Sequence, residues 1–149
     1  MQSSLGVKRM SDDATISAPA PVSLISEWFL KPGCEAEGMA ALSQLALDVR
    51  ANEPDTLTYL VHTPFLDDAR LQALPPVDPC SILFFETYRN ADAFLAHVGG
   101  PVFKGFVAAH GDLFVASNGS PYTTVEFLSR HAGFVRGQDD DQAAAEPVS

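Results

Sequence analysis

The chain has 149 residues, 46% of them hydrophobic and 19% charged, with a formal net charge of −10. That size and balance suit one globular domain. The excess of acids excludes nucleic acid and an anionic membrane surface as main partners, because both need clustered Lys and Arg. No apolar run reaches the roughly 18 residues of a membrane span.

Residues 1–20 are polar, rich in Ser, Ala and Pro, and aperiodic, which reads as a flexible tail. This stretch lacks the apolar centre of a secretory signal. Cys34 and Cys80 are therefore expected as reduced thiols in a cytoplasmic protein, and Met10 is an alternative start. A flexible acidic tail is expected over 137–149, and an ordered domain over 21–130.

Val22 to Leu30 alternates as a strand, with Val22, Leu24, Ser26 and Trp28 on one side and Ile25, Glu27 and Phe29 on the other. Lys31-Pro32-Gly33 breaks it. From Glu35 to Ala51 the positions Met39, Leu42, Leu45 or Ala46, and Val49 form a helical stripe, with Glu35 and Glu37 in the first turn where the helix dipole favours acids. Thr56 to Thr63 is a second strand, Pro64 to Pro79 a long prolyl connection, and Ser81 to Tyr88 a third strand. Asn90 is an N-cap for a helix over Ala91–Val98. Gly99-Gly100-Pro101 interrupts it, and Pro101 suits the start of the next helix, Val102 to about Phe114. Ser117 to Pro121 is a turn, and Tyr122 to Leu128 a fourth strand.

The order predicts an α+β, ferredoxin-like domain: a four-stranded antiparallel sheet with helices on one face. The third strand is apolar on both faces, with Ile82 and Phe84 one way and Leu83 and Phe85 the other. A strand wet on one face would alternate apolar and polar. The expected cover for the second face is another copy, sheet against sheet. The alternative cover is a tail or the Pro64–Pro79 loop.

Several phrases share a pattern. They are Trp28-Phe29-Leu30-Lys31-Pro32-Gly33, Glu53-Pro54-Asp55-Thr56-Leu57-Thr58-Tyr59, Phe85-Glu86-Thr87-Tyr88-Arg89-Asn90, Ala93-Phe94-Leu95-Ala96-His97, and Val102-Phe103-Lys104-Gly105-Phe106. Together, over about residues 21–128, they resemble the antibiotic biosynthesis monooxygenase (ABM) family, dimeric α+β-barrel proteins that include quinol monooxygenases. The departures are Tyr88 where tryptophan is usual, Asp55 where glycine is usual, and the long Pro64–Pro79 connection. Some members degrade haem with an Asn, Trp and His set. Here Tyr88 stands at the Trp position and Phe106 at the haem-ligand position, so haem degradation is not expected.

The resemblance implies a monooxygenase working without metal, flavin or haem, with an aromatic small molecule and O2 as partners and a homodimer as the assembly. Such chemistry needs a base, an apolar pocket for a ring, and donors to a growing oxyanion. His97, at the family's helix histidine, is the candidate base; the other reading is a packed ring bonded to a carbonyl at the Gly99-Gly100 corner. Glu86 and Tyr88 share a strand face and either serve His97 and substrate or are structural, Glu86 pairing with Arg89. Trp28, Tyr59, Phe94, Phe103 and Phe106 are candidate substrate-binding rings or core. His62 faces the pocket or the dimer seam, while His110 and His131 are placed at the surface. Zinc, nucleophile-elbow and dinucleotide motifs are absent from the sequence. The leading expectation is a cofactor-independent quinol or phenol monooxygenase. The rival is a non-catalytic dimeric binding or interaction module, and a third reading is an isomerase or decarboxylase using the same base.

Overall fold

The computed structural model describes residues 20–71 and 75–136. The two tails expected from the sequence lie outside them, apart from Ala20. Strand β1 (Val22–Phe29), helix α1 (Glu35–Asn52), β2 (Thr56–His62), β3 (Ser81–Tyr88), α2 (Ala91–Gly99), α3 (Pro101–His110), β4 (Ala116–Ser117), β5 (Ser120–Pro121) and β6 (Thr123–Leu128) follow in order. The sheet runs β2-β3-β1-β6, and every pairing in it is antiparallel. This is the ferredoxin-like α+β arrangement that the alternating elements predict.

Period two sorts each strand into two faces. Leu24, Ser26 and Trp28 of β1 are buried beneath the helices, as are Ile82, Phe84, Glu86 and Tyr88 of β3. On α1 the stripe Leu42, Leu45 and Val49 is buried against them, each residue contributing about 1.5–3 kcal/mol. Trp28 is the hub, with the rings of Phe84, Phe103, Phe106 and Phe114 at 5.2–6.4 Å.

The helix ends follow their local chemistry. The Asn90 side chain accepts from the Ala93 N–H at 2.9 Å, capping α2. Pro101 sits in the first turn of α3. A Cβ at Gly100 would lie 2.6 Å from the Ala96 carbonyl oxygen, so only glycine lets α2 and α3 meet at this corner. The second long helix stops earlier than its apolar pattern predicts: α3 ends at His110, and Gly111–Leu113 tightens into a 3-10 turn. The expected turn over 117–121 is a small hairpin. Asn118 (φ 53°) and Gly119 (φ 80°) both take positive φ, the Asn-Gly geometry that matches the twist of two paired strands.

Among the described residues, no helix lies on the opposite sheet face. Leu60 and Leu83 there are 48% and 37% exposed. Between β2 and β3 the described residues form no helix or strand.

Candidate active site

The site begins at the end of α1. Pro54 cannot continue the helix, and the Glu53 N–H closes it on the Val49 carbonyl at 2.9 Å. The chain turns at once into β2, with the Thr56 N–H bonded to the Glu53 carbonyl. This turn holds the Glu53 carboxylate beside α2. Its Oε2 lies 2.7 Å from His97 Nδ1 and accepts from Thr56 Oγ1 at 3.2 Å. The His97 side chain is 3% exposed. Its ring is enclosed by Tyr59, Tyr88 and Phe103 at 5.3–5.6 Å between centroids. The histidine is therefore held by a carboxylate and not by a carbonyl at the Gly99-Gly100 corner, where the His97 carbonyl instead accepts the Gly100 N–H.

His97 and Glu86 both border an apolar cavity of about 100 Å³ between the sheet and α2, with Trp28, Tyr59, Phe94 and Phe103 among its walls. Tyr88 donates to Glu86 Oε2 at 2.6 Å from just outside it. The three candidate catalytic residues thus meet in one place, and four of the six candidate binding residues form its walls. His62 and Phe106 do not. His62 sits one position out of phase with the buried face of β2, and its Nδ1 lies 3.2 Å from the Leu83 carbonyl on the open sheet face. Phe106 is buried one turn beyond Phe103, against Trp28 and Phe114. Arg89 does not reach Glu86: an odd offset along a strand points to the other side, and Arg89 pairs with Asp55 at 2.6 Å.

Three polar residues of the site escaped the sequence reading. Glu53 was visible only as part of a Glu-Pro turn. Ser26 and Thr123 border the cavity, their hydroxyls 2.9 Å apart, and Trp28 Nε1 donates to Ser26 Oγ at 3.0 Å. The alternation of β1 and β6 carried the signal, since both share a face with Trp28 or Val125.

Burial shapes the ionisation of the site. It pushes the Glu86 carboxyl above its ordinary value of 4.5, opposed by the Tyr88 hydrogen bond and the charge of His97. Burial, and then the carboxylates of Glu86 and Glu53, push the Tyr59 phenol up, so Tyr59 stays a hydrogen-bond donor at neutral pH. Burial and Glu86 do the same for Tyr88.

The raised Glu86 carboxyl makes stability depend on pH. Below 4.5 the carboxyl is protonated in both the folded and unfolded chain, and its burial carries no charge penalty. As pH rises toward the raised folded value, the unfolded chain binds fewer protons than the folded one, so stability falls. Glu86→Gln keeps an acceptor for Tyr88 without the charge. The variant is expected to raise Tm at neutral pH, with the gain shrinking to nothing as pH falls below the ordinary carboxylate range. A gain of equal size at pH 4 and pH 8 in thermal melts would refute this account.

The antibiotic biosynthesis monooxygenase family model matches residues 21–109, more than half of the chain. The chain belongs to this family. Solved structures from several bacteria share the fold. One from Caulobacter crescentus CB15, assigned provisionally to the antibiotic biosynthesis monooxygenases, is 23% identical, with a TM-score of 0.60 over 77% of this chain and 93% of that one. One from Mycobacterium tuberculosis is 20% identical, TM-score 0.57, over 76% and 98%. One from Bacteroides thetaiotaomicron VPI-5482, also provisionally an antibiotic biosynthesis monooxygenase, is 14% identical, TM-score 0.60, over 80% and 97%. No curated protein matches the chain significantly. The ABM match contains His97, Glu53, Glu86 and Tyr88, whereas Thr123 and Val125 close the cavity from beyond it. Among the described residues, no helix of this ABM chain is long and apolar enough to cross a membrane.

Proposed function

We propose that this protein is a cofactor-independent monooxygenase that oxidises a small quinol or phenol with O2. The observation that carries the reading is His97, held on a carboxylate, at the wall of an apolar cavity lined by aromatic rings. His97 takes the proton of a phenolic O–H, and the resulting anion is electron-rich enough to reduce O2 by one electron. Recombination forms a C–O bond, and loss of water from the hydroperoxide leaves a carbonyl. For a hydroquinone the balance is quinol plus O2 giving hydroxyquinone plus water. In this reading Tyr59, kept protonated by burial, donates to the developing oxyanion. In this reading Glu86, with its carboxyl pushed up, gives a proton to the departing oxygen and takes the one lost from the ring carbon.

The chamber bounds the substrate. A cavity of roughly 150 Å³ is known to admit benzene, and this one is about 100 Å³. A ring enters only if a wall turns aside. Phe94 is the wall shared with a larger apolar groove along Phe127 and Leu95. The same tightness favours the second reading, a binding module without turnover. Oxygen uptake by the purified protein over a panel of hydroquinones and polyphenols decides between them. Uptake above the spontaneous rate supports the monooxygenase. Ligand-induced quenching of Trp28 fluorescence without uptake across the panel supports the binding module.

The open sheet face points to a second copy as partner. Leu60, Leu83 and Phe85 lie on it, and the described residues leave Leu60 and Leu83 uncovered. An apolar row of this kind is more stable buried. Light scattering is expected to give twice the chain mass of 15.9 kDa, and Phe85→Asp to give the single-chain mass with the fold retained. A wild type that runs as one chain would remove the dimer.

A further inference from the structure

His97 stands between two spaces. It borders the inner cavity, and it also borders an outer groove of about 260 Å³ between the turn after α1 and the α2–α3 corner. Glu53 and Thr56 border that groove and not the cavity. The carboxylate therefore approaches the imidazole from the side away from the chemistry. Its side chain is 15% exposed where that of His97 is 3%.

An ionised carboxylate only accepts hydrogen bonds, so the hydrogen shared with His97 belongs to Nδ1. In the neutral ring the lone pair is then on Nε2, the nitrogen left to serve the cavity. Among the described residues the bond to Glu53 is the hydrogen bond of this ring. Without an acceptor at Nδ1 the ring is free to place its hydrogen on Nε2, a tautomer that cannot take a proton on the cavity side. The same carboxylate faces the imidazolium that forms when His97 collects a proton. Thr56 Oγ1 restrains Glu53 in turn, and the closed end of α1 fixes the backbone of both.

We propose that Glu53 is the positioning residue of this site: it holds His97 with Nδ1 protonated and Nε2 available as the base, and Thr56 steadies it. The role in turnover rests on the monooxygenase reading; the tautomer does not. The proton that His97 takes from the substrate stays on the imidazolium, compensated by Glu53, until it is returned to the peroxide anion that recombination forms. No further reactant is required.

The test has two parts. Ring 15N NMR of the full chain, with His97 assigned through His97→Asn, reports the tautomer directly. Nδ1–H is expected in the wild type and in Glu53→Asp, with a shift toward Nε2–H in Glu53→Gln, whose amide can turn its N–H to the ring. An Nε2–H ring in the wild type, or no change in Glu53→Gln, overturns the proposal whatever the enzyme oxidises. Oxygen uptake on the best substrate of the panel is the second part. Glu53→Gln is expected to lower kcat by about 100-fold or more with KM nearly unchanged, since loss of the orienting carboxylate in a Ser-His-Asp triad costs about 10⁴. Partial recovery is expected in Glu53→Asp, and in Glu53→Ala when formate is added through the outer groove. Full uptake in Glu53→Gln beside loss in His97→Ala overturns the positioning role. Absence of uptake in the wild type strikes the monooxygenase reading alone, and the NMR result still decides for or against Glu53.

Discussion

Replacing His97 with alanine is expected to lower kcat/KM for oxygen uptake by about 10²–10⁴-fold, the usual contribution of a positioned general base. The loss should fall mainly on kcat, because the apolar walls that hold a ring, Trp28, Tyr59, Phe94 and Phe103, remain. The variant also strips Glu53 of its ring partner, leaving the carboxylate with Thr56 and the groove. Since Glu53 keeps some exposure to solvent, the fold is expected to survive, with a lower Tm. Circular dichroism beside the uptake assay separates the two effects. A folded His97→Ala protein with undiminished uptake would remove His97 as the base while leaving the oxygen chemistry standing. Uptake that returns on addition of free imidazole would reinforce the role.

The largest effect on stability is expected at Trp28. This side chain is 6% exposed and touches four aromatic rings. Truncating a buried Trp or Phe to alanine costs about 3–5 kcal/mol. Natural domains hold only about 5–15 kcal/mol in total. Trp28→Ala is thus expected to bring the domain close to unfolding at 37 °C. Phe114→Ala is the matched control: Phe114 is wholly buried in the same cluster but does not border the cavity. Both variants should lose stability of this order in denaturant titrations. Only Trp28→Ala should also alter ligand binding per folded molecule, because it merges the cavity with the space it vacates and frees Ser26 Oγ from the indole N–H. Equal binding by the two variants, corrected for folding, would mean that Trp28 is core alone.

Much of this molecule is legible in one dimension. Alternation in β1 assigns each residue to a face, and the 3.6-residue stripe on α1 names Leu42, Leu45 and Val49 as core. Asn90 and Pro101 mark their helix starts. These are local facts, set by backbone geometry and the burial of one face. The order of elements then leaves few topologies, and the family phrases lead to His97, Glu86 and Tyr88. Even the exclusion of His62 was within reach, since it is out of phase with Tyr59 and Val61.

The sequence could not say what each polar group would meet. Glu53 finds His97 across 44 positions, and Ser26 finds Thr123 across 97. Arg89 chooses Asp55 over the nearer Glu86. Whether Phe103 and Phe106 wall a cavity or fill a core depends on the angle at which α3 leaves the Gly100 corner. Periodicity determines which side of an element is buried, because that depends only on the element's own repeat. Hydrogen-bond partners and cavities depend on distances of a few tenths of an ångström between elements far apart in the chain, and only their packing together sets those.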